Sequence, residues 1–204
     1  MKSVEFRIID ISKDLVKCEP YPGDPVPELS VFSSFASGDG CNMARLNTTL
    51  HCGTHADAPL HFIPGGKTIN AVPLDKFIGE CRVIEVNTDR ITGDYVDRYF
   101  PLSCKRILIK SGGKAYFDKT GAEELAFYGY TLVGTDSMSV GSAEDQTGPH
   151  RAILSENIAV LENLNLDAVK PGKYFLIAPP VKISGVEASP VRALLLDGYV
   201  FWSN

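Results

Sequence analysis

His51-Cys-Gly-Thr-His55-Ala-Asp57-Ala-Pro-Leu-His61-Phe62 holds three of the four histidines in a chain of 204 residues. His51, His55, Asp57 and His61 all occupy odd positions, and in an extended chain they project to one side. Full extension would set His51 and His55 ~13 Å apart, at ~3.3 Å per residue, too far to share an ion. The chain therefore has to bend, and Gly53 is where a bend costs least. Gly53 and Pro59 speak against a helix through the whole segment, although a single turn at its start stays open. Imidazole nitrogens with a carboxylate are ligands for zinc, manganese or iron. Such a site with an open position lowers the pKa of a held water from ~15.7 to ~7. A further histidine just beyond the ligands is a natural proton shuttle. One lone histidine would read as an exposed loop residue; this clustering does not. Cys52 has the opposite parity and reads as a small filler facing away from the ligands.

Outward from this segment, strands are expected at residues 4–12, 44–51, 77–86, 106–110, 130–134, 158–161, 174–177 and 193–196. Thr92 is placed to cap a short helix ending at Tyr99, before Pro101. Residues 121–127 and 150–157 read as further short helices. Four prolines between positions 20 and 27 make a stiff, extended surface segment. There is no internal repeat and no linker. The expected fold is α/β, β-rich with short helices, formed as a single domain over residues 1–204. Strand order cannot be read from these patterns.

Composition narrows the function classes. Hydrophobic residues are 44% and charged residues 22%, which excludes a disordered, collagen-like or coiled-coil chain. A net charge of −5 offers no electrostatic grip on nucleic acid. No apolar run approaches the ~20 residues that span a bilayer, and the first residues read as a strand rather than a signal peptide. The five cysteines are odd in number and form no C-x-x-C. That argues against a disulfide framework or zinc ribbon and for a cytoplasmic protein with reduced thiols.

The segment from His51 to Phe62 resembles the signature of the metal-dependent cyclase family, H-x-G-T-H-x-D-x-P-x-H-F, which is met in full. The family includes bacterial kynurenine formamidases and isatin hydrolases. Pro22-Gly-Asp-Pro25, Gly134-Thr-Asp136-Ser-Met-Ser139, His150 with Leu161-Glu162-Asn163-Leu164, and Gly185 with Ser189-Pro-Val-Arg192-Ala resemble its other motifs. The resemblance covers almost the whole chain and implies a single swivelling β/β/α domain. It implies His51, His55 and Asp57 as ligands of a first metal. By the same resemblance His150 and Glu162 would complete a second position, with Asp57 bridging, and His61 would be the catalytic acid/base. The cofactor implied is one or two divalent ions, zinc first and manganese as the other candidate.

The expected activity is hydrolysis of a small-molecule amide, as in N-formylkynurenine to kynurenine and formate. The alternatives are a cyclic amide or lactone as substrate, or a metal-dependent binding protein without turnover. The resemblance also implies a homodimer or homotetramer, with residues 20–27 suited to an arm that reaches the partner. Tyr21, Phe32, Phe35 and Phe62 are candidates for an apolar substrate wall and equally for core. Asp136 and Ser137 or Ser139 could suggest a triad with His150, but no G-x-S-x-G elbow is present. Asp136 is expected to bond backbone in its own loop. Arg192 is expected to pair with a buried carboxylate or to end a strand in solvent.

Overall fold

Ile107-Leu108-Ile109 and Ala159-Val160-Leu161 are apolar at every position. Strands of this kind are stable only with both faces covered. In the computed structural model, which describes residues 6–198, they are the central strands of a large sheet. Val4 and Glu5 of the expected opening strand lie outside the described residues.

The strands are β1 (Arg7–Asp10), β2 (Glu28–Ser33), β3 (Met43–Asn47), β4 (His55–Asp57), β5 (Ile78–Glu85), β6 (Arg90–Ile91) and β7 (Arg106–Lys110). They continue with β8 (Tyr116–Phe117), β9 (Leu132–Thr135), β10 (Ala159–Glu162), β11 (Gly172–Ile177), β12 (Ala188–Pro190) and β13 (Leu194–Asp197). The helices are α1 (Gly93–Tyr99), α2 (Lys119–Phe127) and α3 (Thr147–Ser155). Nine strands form one sheet in the order β1-β13-β11-β5-β7-β9-β10-β4-β12. β5, β7, β9 and β10 run parallel, and the flanking strands pair antiparallel. The sheet curls. Ile11, just past edge strand β1, bonds both Ala193 and Asn165, and Ser12 bridges Leu164 just past β10.

The two-residue period of the strands sorts their side chains into two cores. Leu108, Leu132, Ala159 and Leu161 join Phe77, Val83, Leu176 and Leu195 inside the curl. Ile107, Ile109, Val133 and Val160 face the other way and pack on Val96, Leu125, Ile153 and Leu154 of the three helices. The result is the expected β-rich α/β architecture with short helices.

Local chemistry sets most boundaries. Thr92 caps α1 by accepting from the Tyr95 amide, as its position suggested. α2 begins two residues before the expected start because Asp118 accepts from the Gly121 amide and caps it. α3 starts three residues early, at Thr147. The strand expected at 44–51 ends at Asn47, and the chain then turns into the histidine segment. β2 and β3 form a separate two-stranded hairpin. Its Leu29, Val31, Phe32, Met43 and Leu46 are exposed, as is Phe35 beyond β2. Arg192 pairs with Asp10 at the surface, at 2.8 Å from Nε to Oδ2, so its partner is not a buried carboxylate.

Candidate metal centre

The bend expected at Gly53 is there. Gly53 has φ of +67°, a left-handed value that glycine adopts without strain. The chain then runs straight for three residues as β4, and Pro59–His61 forms a 3-10 turn. β4 lies antiparallel between β10 and β12, with Glu162 opposite His55 and Val160 opposite Asp57. Residues directly opposite share a face, so His55, Asp57 and Glu162 all project to the helix side. The alternate residues Ala56 and Leu161 enter the core inside the curl. α3 covers that face and brings in His150. Asn163, with φ of +57°, turns the chain straight after Glu162, and its carbonyl accepts from Thr54 Oγ1 at 2.5 Å.

All six expected site residues therefore meet. His51, His55, His61, His150 and Glu162 line one cavity of about 210 Å³, and Asp57 lies against them. Ligand atoms of His51, Asp57 and His61 lie within 4.8 Å of one another, as do those of His55, Asp57 and Glu162. Asp57 belongs to both groups. His55 Nε2 is 3.5 Å from Asp57 Oδ1 and 3.3 Å from Glu162 Oε2. His150 Nε2 is 3.3 Å from Glu162 Oε1 and 3.8 Å from Asp57 Oδ2.

Hydrogen bonds behind the site fix which atoms face it. His55 Nδ1 meets the Gly53 carbonyl at 2.9 Å, and His150 Nδ1 meets the Gln146 carbonyl at 2.6 Å. A carbonyl only accepts, so each Nδ1 carries the hydrogen, and the neutral ring presents a bare Nε2 lone pair to the carboxylates. His55 Nε2, His150 Nε2 and both Asp57 oxygens are buried without a hydrogen bond. Without a metal each Nε2 either faces a carboxylate with a bare lone pair or takes up a proton, and each unpartnered buried group costs about 1–3 kcal/mol. A divalent cation removes that conflict at once. This His/Asp/Glu cluster can hold a metal, and the residues fit one.

In the chain by itself the carboxylates favour the second outcome and draw protons onto three of the histidines. Burial opposes charge on His51, but Asp57 outweighs it and raises the imidazole to about 9. Burial likewise opposes charge on His55 and His150, and the carboxylates of Glu162 and Asp57 raise both. Burial would raise Glu162 and Asp57, yet the histidines hold both carboxyls low. His61 differs: burial, the largest cause, lowers it. Its ring centroid is 4.2 Å from that of His51 and 4.4 Å from that of Phe62, which stacks on His150.

Tyr21 and Phe62 line the cavity; Phe32 and Phe35 are exposed on and beside the hairpin and do not. Gln146, Met138 and Asp24 also line it. Gln146 had no signal in the sequence, yet its side chain donates to Tyr21 and accepts from Ser139. Ser139 and the Val140 amide reach Glu162 Oε1 at 3.1 and 2.7 Å. Asp136 does not bond within its own loop. It accepts from Ser111 and the Gly112 amide, because β7 and β9 are neighbours whose ends meet there. Cys52 faces away from the cluster, toward Cys18.

Residues 9–142 match the Cyclase family, described as "Putative cyclase". The kynurenine formamidase of Paracidovorax citrulli is 36% identical over 206 residues, covering 91% of this chain and 94% of that protein. A solved structure described as a potential metal-dependent hydrolase with cyclase activity superposes with a TM-score of 0.82 at 28% identity, over 95% of this chain and 98% of that one. Isatin hydrolase A from Labrenzia aggregata, bound to benzyl benzoate, shares the fold at a TM-score of 0.81 and 19% identity, over 95% and 94% of the two chains.

Proposed function

Because the chain belongs to the cyclase family and is a metal-dependent hydrolase, we propose that it cleaves the formamide bond of N-formylkynurenine, giving kynurenine and formate. The observation that carries the reading is a cavity floored by buried, unpartnered nitrogen and carboxylate atoms, with His61 on its wall. His51, His55 and Asp57 would hold one ion, and His150 and Glu162, together with Asp57, would hold a second. Zinc suits this set of nitrogen and carboxylate donors, with manganese as the other candidate. A bound ion supplies Lewis acidity to the scissile carbonyl and acidity to water.

The chain's own residues do the rest. His61 takes a proton from the attacking water and returns it to the leaving aniline nitrogen. Ser139 and the Val140 amide keep Glu162 aimed, and the Gln146 carbonyl keeps His150 in the tautomer that binds through Nε2. Phe62, Tyr21 and Met138 give the substrate's aromatic ring an apolar wall.

Residues 1–204 act as one catalytic unit in the cytoplasm, and all five cysteines are free thiols in the structure. The exposed apolar hairpin packs on a second copy, since an isolated two-stranded ribbon is marginal by itself. Among the described residues no helix is long and apolar enough to cross a membrane. The test is amine release from N-formylkynurenine by metal-loaded protein, beside isatin and a simple aryl lactone, with and without a chelator. Chelator-sensitive formamide hydrolysis is expected. Isatin cleavage alone would transfer the reading to a cyclic amide. No turnover of any of them would leave a binding protein.

A further inference from the structure

Two of the five cysteines meet immediately behind the ligand segment. Cys52 stands between His51 and Gly53 and is 1% exposed. Cys18 is partly exposed, at the end of a turn that Asp14 holds by accepting from the Val16, Lys17 and Cys18 amides. The two sulfurs are 3.5 Å apart, and both lie near the Leu15 carbonyl, at 3.3 Å for Cys18 and 3.5 Å for Cys52. The turn is pressed on the segment: a Cβ at Gly53 would lie 3.1 Å from Leu15 Cα. None of these contacts is used by the hydrolytic reading.

We infer that Cys18 and Cys52 are a thiol-disulfide site, which a low-molecular-weight disulfide oxidises to an intrachain bond that restrains the metal-binding segment. The partly exposed Cys18 attacks the reagent R–S–S–R, forming a mixed disulfide and releasing one RSH. Cys52 then attacks Cys18 Sγ and releases the second RSH. The protein loses two electrons and two thiol protons, and the reagent gains both.

Geometry supplies the consequence. A disulfide needs its sulfurs ~2.05 Å apart, so the pair closes by ~1.5 Å. Cys52 is bonded directly to His51, and metal-ligand distances hold only within ~0.2 Å. Movement of the segment therefore reaches the site. Burial beside Cys52 pushes the Cys18 thiol up to about 11, which makes exchange slow at neutral pH.

Metal-loaded protein is incubated with oxidised glutathione at about pH 9, where exchange is faster. Cys18→Ser and Cys41→Ser variants are treated alike. Non-reducing digestion with mass spectrometry should give a Cys18–Cys52 cross-linked peptide in wild type and Cys41→Ser, and none in Cys18→Ser. Turnover should fall roughly 10-fold or more, as for other disturbed supports of metal ligands. It should recover with dithiothreitol, and Cys18→Ser should be insensitive. Metal content of the cross-linked protein reads the disturbance independently of the substrate, and it should fall even if the substrate assignment is wrong. A stable glutathione adduct on Cys18, a cross-link elsewhere, or the expected cross-link with unchanged turnover and metal content would each overturn the inference.

Discussion

The hairpin of β2 and β3 and the ligand segment at 51–62 are near neighbours in sequence, yet they violate the usual rules of burial in opposite senses. The hairpin leaves Val31, Phe32 and Phe35 59–65% exposed. The ligand segment buries His55 and Asp57 and gives Asp57's oxygens and His55 Nε2 no hydrogen bond. Each unburied large apolar side chain forgoes about 1.5–3 kcal/mol, and each buried orphan costs a similar amount. A fold carries such costs where something else completes it. The polar orphans fit a cation, and under the proposed assembly the bare apolar ribbon meets a second copy.

The largest effect should come from the residue common to both candidate ligand groups. Asp57→Asn keeps the shape but removes the shared charge, so elemental analysis should find the metal lost and assays should find turnover at the level of chelated protein. Full metal content in this variant would break the contrast between the two regions. His61→Ala comes next. Turnover should fall roughly 10²–10⁴-fold, the usual size of a general-base contribution, with metal content largely kept. Joint loss of metal and activity would make His61 a ligand, in keeping with its place beside His51 and Asp57.

The hairpin should respond through assembly. Val31→Asp with Phe35→Asp should weaken self-association by roughly 10²-fold, equivalent to about 2.7 kcal/mol, as read by light scattering against concentration. A monomeric wild type would remove the second copy from the comparison. The smallest effect is a pH trend in the metal-free protein. His51 is raised to about 9, above the ordinary imidazole value near ~6.5. Its stabilisation is fully present below ~6.5 and is lost as pH rises through about 9. The melting temperature of metal-free protein should therefore decline over that window, while metal-loaded protein should decline less. A flat metal-free profile would mean that Asp57 and His51 are not coupled as the geometry has them.

Much of the candidate site was legible in the sequence, because its rules are local. Odd spacing put His55 and Asp57 on one face of a strand, Gly53 took the positive φ the bend required, and Thr92 capped the helix it preceded. Each needs only a period of two, one backbone angle or one hydrogen bond within a few residues. β4 itself escaped notice because three residues carry no periodic pattern; its partners on both sides make it a strand. Aromatic residues could not be sorted either, and only the structure separated Tyr21 and Phe62 at the cavity from Phe32 and Phe35 in solvent.

Tertiary structure alone decided what converges. The strand order, the register that sets Glu162 opposite His55, and the Gln146 carbonyl that fixes His150 all join residues distant in sequence. The chain specifies which donor atoms exist and which side of a strand they leave from. Their approach to one another depends on strand register, where a slip of one residue would turn every candidate ligand on that strand into the opposite core.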